Sequence, residues 1–491
     1  MTNAMLTFGE AMDHWAAITP AETVLACALE TGEVDELNRD QLRTWSNRLA
    51  HKLIESGIGI GDLVPIILPT SVDFLAATTA IYKAGGSPMP VSHKLPKPEL
   101  ESLLELAKPK CLIANDSAHP QGINPAEYRE GADPGAPERR ISNPLKALAS
   151  GGSTGRSKLI ITEGEFFYPE GGHPTGAVLR LNRGELKYSP GPLYHNGPFF
   201  FSLIALFQGG SVLLNQRFNA ERALHLIAHY RPSTLNLVPT MMQRMLQSPD
   251  WQGADLNSVN TVWHLAAPCP HWAKEAFIER LGGDVVLELW AATENTGLTI
   301  IDGHEWLAHR GSVGKPVGTE IVILNEDRNP VATGEVGEIF TRFAGAPANY
   351  RYLGSKSLET WGDGFASVGD LGWLDADGYL YLADRRTDLI ISGGANIFPA
   401  EIESVISQHP GVQDVAVVGL SDPDLGRRTH AIVEPNPNGP MATVDELLAL
   451  CQEQLARYKV PRSIEFVDQL PRNDAGKIRR LALREARELS A

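Results

Sequence analysis

The sequence predicts an α/β fold: a large N-terminal domain of parallel and mixed sheets flanked by helices, with a β-subdomain, and a small α+β C-terminal domain. Three observations carry this expectation. The chain has 491 residues, more than one compact core usually organises. Segments with helical spacing of apolar residues alternate with short strand-like runs, as in parallel strands joined by helical crossovers. Beyond Gly318 that rhythm gives way to short strands and turns, and beyond Asp384 to a compact mixed unit.

Taken in order, Leu42–Gly57 has helical spacing, Asp62–Leu68 reads as a strand and Val72–Ala84 as a helix. A helix at Lys97–Ala107 precedes a strand at Cys111–Ala114, and Asn115–Ser150, rich in Pro, Gly and Glu, reads as an irregular surface loop. The alternation returns in Glu221–Ala228, Thr234–Val238, Met241–Leu246 and Thr261–Leu265, and Val285–Leu289 is strand-like. From Gly318 to Tyr381 short strands and turn signals such as Asp377-Gly378 follow. The last unit reads as a helix from Pro399, strands Asp414–Val418 and Thr429–Val433, a helix Val444–Arg457 and a strand Ser463–Phe466. These patterns place one domain at 1–383 and a second at 384–491.

Hydrophobic residues make up 43% and charged residues 21%, and 46 glycines and 34 prolines suit a loop-rich enzyme. A net charge of −16 argues against nucleic-acid binding. It does not exclude ATP or CoA, because screening over roughly 8 Å leaves local groups to decide such binding. Cys27, Cys111, Cys269 and Cys451 lie far apart, so neither a disulfide framework nor a zinc site is expected, and a reducing, cytoplasmic location is. The apolar runs Phe74–Tyr82 and Phe199–Phe207 are too short to span a bilayer.

The first chemical signal is Ser150-Gly151-Gly152-Ser153-Thr154-Gly155-Arg156-Ser157-Lys158. Small residues let successive backbone N–H groups converge on phosphate oxygens, and hydroxyls and Lys158 add donors and charge. No Gly-Lys-Ser/Thr follows at Walker A spacing, and alone the stretch reads equally well as an ordinary loop. Four further stretches supply context: Trp290-Ala291-Ala292-Thr293-Glu294, Gly369-Asp370, Asp384–Asp388 leading to Gly393-Gly394-Ala395-Asn396, and Leu470–Lys477.

Together, and in this order, these stretches resemble the adenylate-forming superfamily of acyl-CoA synthetases, adenylation domains and luciferases. Tyr82–Pro90, Val238–Met241, Leu265–Pro268 and Leu455–Pro461 extend the resemblance over nearly the whole chain. It implies a ligase that joins a small-molecule carboxylic acid to coenzyme A through acyl-AMP, using ATP and Mg²⁺. Glu294 resembles the magnesium ligand, with Thr293 beside it. Asp370 resembles the ribose-binding aspartate, and Arg385 the arginine that contacts ribose or phosphate. Ala266, Ala267, Pro268 and Trp290, with Ala291 and Ala292, resemble the adenine slot. Lys477 resembles the lysine that stabilises charge on the phosphoryl group during adenylation. The resemblance makes the small domain mobile about a hinge near 385–388, its rotation bringing Gly393, Gly394 and Asn396 to the CoA thiol path. At the hinge, Arg386-Thr387 departs modestly from the usual residues. His195 resembles an acyl-pocket histidine, and Phe199-Phe200-Phe201 reads either as pocket lining or as core.

The phosphate loop departs from the family pattern. Gly151 stands for a Ser, Ser157 for the usual Pro, and Leu159 and Ile160 for a small residue and its neighbour. Each lost donor costs on the order of 3 kcal/mol in a charged transition state. A second reading follows, in which a separate adenylating enzyme supplies ready-made acyl-AMP and this chain only transfers it to CoA. A third is a stand-alone enzyme that loads a carrier protein. The Pro192–Pro198 stretch and the glycine-rich loop look similar to ligases of bulky polycyclic acids, among them bile-acid, steroid and terpenoid carboxylates. A homodimer is compatible with the sequence, which leaves the oligomeric state open.

Overall fold

The computed structural model describes residues 4–115, 122–151, 157–170, 172–345, 349–385, 388–437, 439–472 and 478–488, with the backbone alone at Ser150, Gly151, Ser157, Asp384 and Arg385. Gly152–Arg156, Arg386, Thr387 and Lys477 therefore lie outside the described residues.

The large domain is built on a fifteen-stranded sheet. Its centre is parallel: Val286–Ala291, Thr261–Leu265, Thr234–Leu237, Leu186–Ser189, Ser211–Asn215 and Thr23–Ala28 pair in that spatial order. These strands are apolar and buried, as expected where crossover helices cover both faces. Leu298–Asp302 pairs antiparallel with Val286–Ala291 and turns the sheet into the β-subdomain. A second parallel sheet carries Leu63–Ile67, Ser87–Pro90, Leu112–Ala114 and Gly122–Ile123. Between the two lies an antiparallel sheet of Lys146–Gly151, Ser157–Thr162 and Tyr350–Leu353.

Most expected elements form within two or three residues of their expected ends. The helices run Arg39–Glu55, Val72–Lys83, Lys97–Ala107, Ala220–Tyr230 and Pro239–Gln247. Asn38 and Thr443 close capping boxes that fix two helix starts. One expectation fails. Asn115–Ser150 is not an irregular surface loop throughout, because it contains Gly122–Ile123, a short 3₁₀ turn at Pro125–Tyr128 and the start of the strand Lys146–Gly151. Lys146, Ala147 and Leu148 are buried. The Pro and Gly content of 131–144 masks the strand that follows it.

In the C-terminal part of the chain, Pro399–Ile406 and Val444–Gln454 pack against a sheet of Val412–Asp422, Gly426–Pro435 and Ser463–Phe466. This unit has its own core around Ile402, Val417, Ala431 and Leu447. Among the described residues no helix is long and apolar enough to cross a membrane.

Candidate active site

The site residues gather where the central parallel strands end and the antiparallel sheet begins. Val286–Ala291 delivers Trp290 and Ala291 at its C-terminal end, and Glu294 sits three residues beyond, 8% exposed. Thr261–Leu265 ends just before Ala266, a non-glycine residue held at φ 80°. A strained conformation of this kind persists only where surrounding structure over-determines it, and such residues cluster at ligand sites. Ala266 and Pro268 are exposed and Ala267 is half-buried.

Glu294 is the hub. The Tyr352 hydroxyl donates a hydrogen bond to its Oε1, and Lys158 Nζ lies 3.9 Å from the same oxygen. Lys158 also stands over the Tyr352 ring, 4.2 Å from the centroid. The ladder explains the grouping. Lys158 and Ile160 lie two apart on one strand, and Tyr352 pairs with Ile160, so alternation sends Lys158, Ile160 and Tyr352 to one face of the sheet. Burial, then hydrogen bonding to Glu294, pushes the Tyr352 phenol well above its ordinary range, which keeps it a donor.

Trp290 Nε1 donates to Asp370 Oδ2 at 3.1 Å. Asp370 is 8% exposed and follows Gly369, whose φ of 85° suits glycine and whose N–H donates to Ser367 Oγ. Ser367 in turn donates to Glu338 at 2.7 Å. Directly opposite Asp370 in the antiparallel ladder is Arg385.

His195 precedes the helix Asn196–Phe207 and is half-buried. Phe199 and Phe201 are core residues, whereas Phe200 is partly exposed and meets His173 with ring centroids 5.9 Å apart. Gly197 lies under Leu265; a Cβ there would stand 2.9 Å from Leu265 Cδ1. Gly393, Gly394 and Asn396 are exposed on the hairpin formed by Ile390–Ser392 and Ala395–Ile397. Both glycines have positive φ, 56° and 83°. Arg472 and Ile478 bridge on either side of the segment that carries Lys477, and Arg472 is paired with Asp414.

The chemistry of the donor set fits a nucleotide–magnesium complex. Glu294 is a single buried carboxylate beside a lysine, and among the described residues no cluster of three metal-ligating side chains occurs. Mg²⁺ is held in just this way in phosphate sites, by one or two carboxylates with the remaining ligands from phosphates and water. Tyr352 was not foreseen from the sequence. The Tyr350-Arg351-Tyr352 alternation, which puts two phenols on one strand face, was the available signal.

Comparison with known proteins agrees with the geometry. The AMP-binding enzyme family model matches residues 12–350, and the AMP-binding enzyme C-terminal domain matches 401–477. A feruloyl-CoA synthase of Amycolatopsis is 31% identical over 88% of this chain and 90% of its own length. A long-chain-fatty-acid–CoA ligase of Mycobacterium tuberculosis is 28% identical over 91% of this chain and 92% of its own. Among solved structures, the o-succinylbenzoate coenzyme A synthetase of Bacillus subtilis in complex with ATP and magnesium ion superimposes with a TM-score of 0.81 at 26% identity, covering 98% of this chain and 100% of that one. With both parts of the chain matched in order, it belongs to the AMP-binding enzyme family and is an AMP-forming acid–CoA ligase.

Proposed function

We propose that this ligase converts a hydrophobic, ring-bearing acid of modest size to its CoA thioester by way of its own acyl-AMP. The observation that carries the proposal is the junction of Glu294, Lys158 and Tyr352 with the Trp290–Asp370 pair. It brings a hard carboxylate, an ammonium suited to phosphate and a carboxylate suited to ribose together where strands of the central sheet, the antiparallel sheet and the β-subdomain meet.

In the first step a carboxylate oxygen of the acid attacks the α-phosphorus of ATP. An acyl–oxygen–phosphorus bond forms, the α–β anhydride bond breaks, and pyrophosphate leaves. Mg²⁺, when bound, neutralises phosphate charge and orients the leaving group. Glu294 would hold it, and Lys158 and the Ser150–Gly155 backbone would cradle the phosphates. Asp370 would accept hydrogen bonds from the ribose hydroxyls, with Arg385 beside it, while Trp290, Ala266, Ala267 and Pro268 shape the adenine slot with Ala291, Ala292 and Thr293. Lys477, carried by the small domain, would stabilise the charge that builds on the α-phosphoryl group. In the second step the CoA thiolate attacks the acyl carbon, the thioester forms and AMP departs. Gly393, Gly394 and Asn396 would line the thiol path and His195 would guide the acyl group. The small domain would turn about a hinge near 385–388.

Two features support a compact aryl acid. Leu265 packs against Gly197 and narrows the space between the Asn196–Phe207 helix and the central strands, which disfavours a long flexible chain. The wall beyond it is aromatic, with Phe200, His173 and Tyr168 in ring contact. The names of the feruloyl and succinylbenzoate relatives point the same way, and the expected likeness to polycyclic-acid ligases finds no support among them.

The test supplies a panel of aryl, fatty and polycyclic acids with ATP, Mg²⁺ and CoA, and in parallel synthetic acyl-AMP with CoA. Aryl thioester in both arms is the expected result. Product from acyl-AMP alone would show a transfer-only enzyme, and turnover of fatty or polycyclic acids alone would refute the substrate class.

A further inference from the structure

We propose that Lys146 is a specificity-determining residue: its ammonium donates to an oxygen acceptor at the distal end of the acid substrate. The inference rests on the acid–CoA ligase reading above but does not require the acid to be aromatic.

Lys146 is 3% exposed. An ammonium has three donors, and among the described residues one is accepted, by Thr162 Oγ1 at 2.9 Å. The Phe200 ring is a further neighbour, with Nζ 5.5 Å from the centroid. Other buried lysines show what a structural role needs. Lys83 pairs with Asp13 and Asn47 at 2.6 Å each, and Lys274 pairs with Glu288 at 2.7 Å. Lys187 also lacks a carboxylate, but it faces Ser202 and Phe201 in the core. Among the described lysines, only Lys146 combines burial with a place on the face that carries Lys158 and Tyr352.

That place follows from register. Lys146 pairs with Thr162, and Tyr350 pairs with Thr162 from the other side. Alternation therefore puts Lys146, Thr162 and Tyr350 on the face that carries Lys158, Tyr352 and, across from them, Glu294. Lys146 lies four positions before Ser150, about 13 Å along the strand. Lys146 thus opens the strand that ends at Gly151, and its ammonium lies against the helix Asn196–Phe207 through the Phe200 ring. An apolar residue would fill this position without the desolvation cost of an ammonium. A substrate oxygen arriving there would satisfy donors that the described residues leave unmet.

The groups facing Lys146 are Glu294, Tyr350 and Tyr352, with Lys158 on the same face and His173 behind Phe200. Burial lowers Lys146 to about 7, with Glu294 opposing. Burial raises both tyrosines, with Glu294 adding to it, so they stay neutral through the working range.

The experiment measures kcat/KM for two matched pairs, cinnamate against 4-methoxycinnamate and octanoate against 8-hydroxyoctanoate, with wild type and Lys146→Met. Wild type is expected to favour the oxygenated member of the accepted pair by about tenfold or more, the worth of one charged hydrogen bond. K146M should bring that ratio to one or below while keeping the melting temperature equal or higher. The same ratio in wild type should fall as pH rises from 6.5 to 8.5. Effects of pH on nucleotide binding are common to both acids and cancel, so this arm decides the matter even if K146M does not fold. A K146M ratio equal to wild type, a flat pH profile or no wild-type preference in either pair would overturn the proposal. Turnover of the octanoate pair alone would refute the aryl substrate class while still deciding the role of Lys146.

Discussion

Trp290 Nε1 reaches Asp370 Oδ2 across 3.1 Å and 80 residues of sequence. Trp290 is the last residue but one of a strand of the central sheet and Asp370 begins a strand of the β-subdomain, so one hydrogen bond ties the edge proposed to bind the base to the carboxylate proposed to bind the ribose. A charged acceptor makes such a bond worth about 1.5–3 kcal/mol. Trp290→Phe keeps an aromatic face but removes the donor. Steady-state kinetics should show KM for ATP raised about 5- to 20-fold, with KM for the acid nearly unchanged. An unchanged KM for ATP would mean that the bond does not orient Asp370 for nucleotide.

Glu294→Gln removes the charge that would hold the metal and leaves a side chain of the same shape. Pyrophosphate release should fall at least about 100-fold, as for loss of one preorganised electrostatic group, and added Mg²⁺ should not restore it. The melting temperature should move little, because Lys158 keeps access to water at 21% exposure and retains its contact with the Tyr352 ring. A rate within fivefold of wild type would remove Glu294 from the metal role.

Acid should destabilise the chain through two buried histidines. Burial lowers His173, packed against Phe166, Tyr168 and Phe200, and His264, in the centre of the main sheet, to about 4 each. Between pH 6.5 and 4 the unfolded chain therefore binds protons that the folded chain does not. Stability is complete above 6.5 and declines as pH falls towards 4, by on the order of 3 kcal/mol for each histidine. Urea midpoints between pH 4 and 8 should trace this slope. His173→Asn, which can still cap the helix at Pro174 as His173 does through Thr175 N–H, should flatten it. An unchanged slope would place the acid sensitivity elsewhere.

Much of this site could be read from sequence because its pieces are contiguous. Trp290–Glu294, Gly369-Asp370 and the phosphate loop each announce a strand end followed by a polar turn, and the central strands are apolar runs of ordinary length. Three features were hidden. The strand Lys146–Gly151 follows a stretch rich in Pro and Gly, and its lysine interrupts the apolar pattern at a buried position. The group around Glu294 joins Lys158 and Tyr352 across nearly 200 residues, and only register reveals that they share a face. The helix Asn196–Phe207 is apolar nearly all round, which marks burial but conceals its amphipathic period.

The most direct test of the central claim is isotopic. An aryl acid labelled with ¹⁸O in its carboxylate is incubated with the enzyme, ATP, Mg²⁺ and CoA, and the AMP is analysed by mass spectrometry. Attack of the carboxylate on the α-phosphorus predicts one ¹⁸O atom in AMP for each thioester formed. Thioester formed with unlabelled AMP, or with no AMP, would contradict an acyl-adenylate route in this chain.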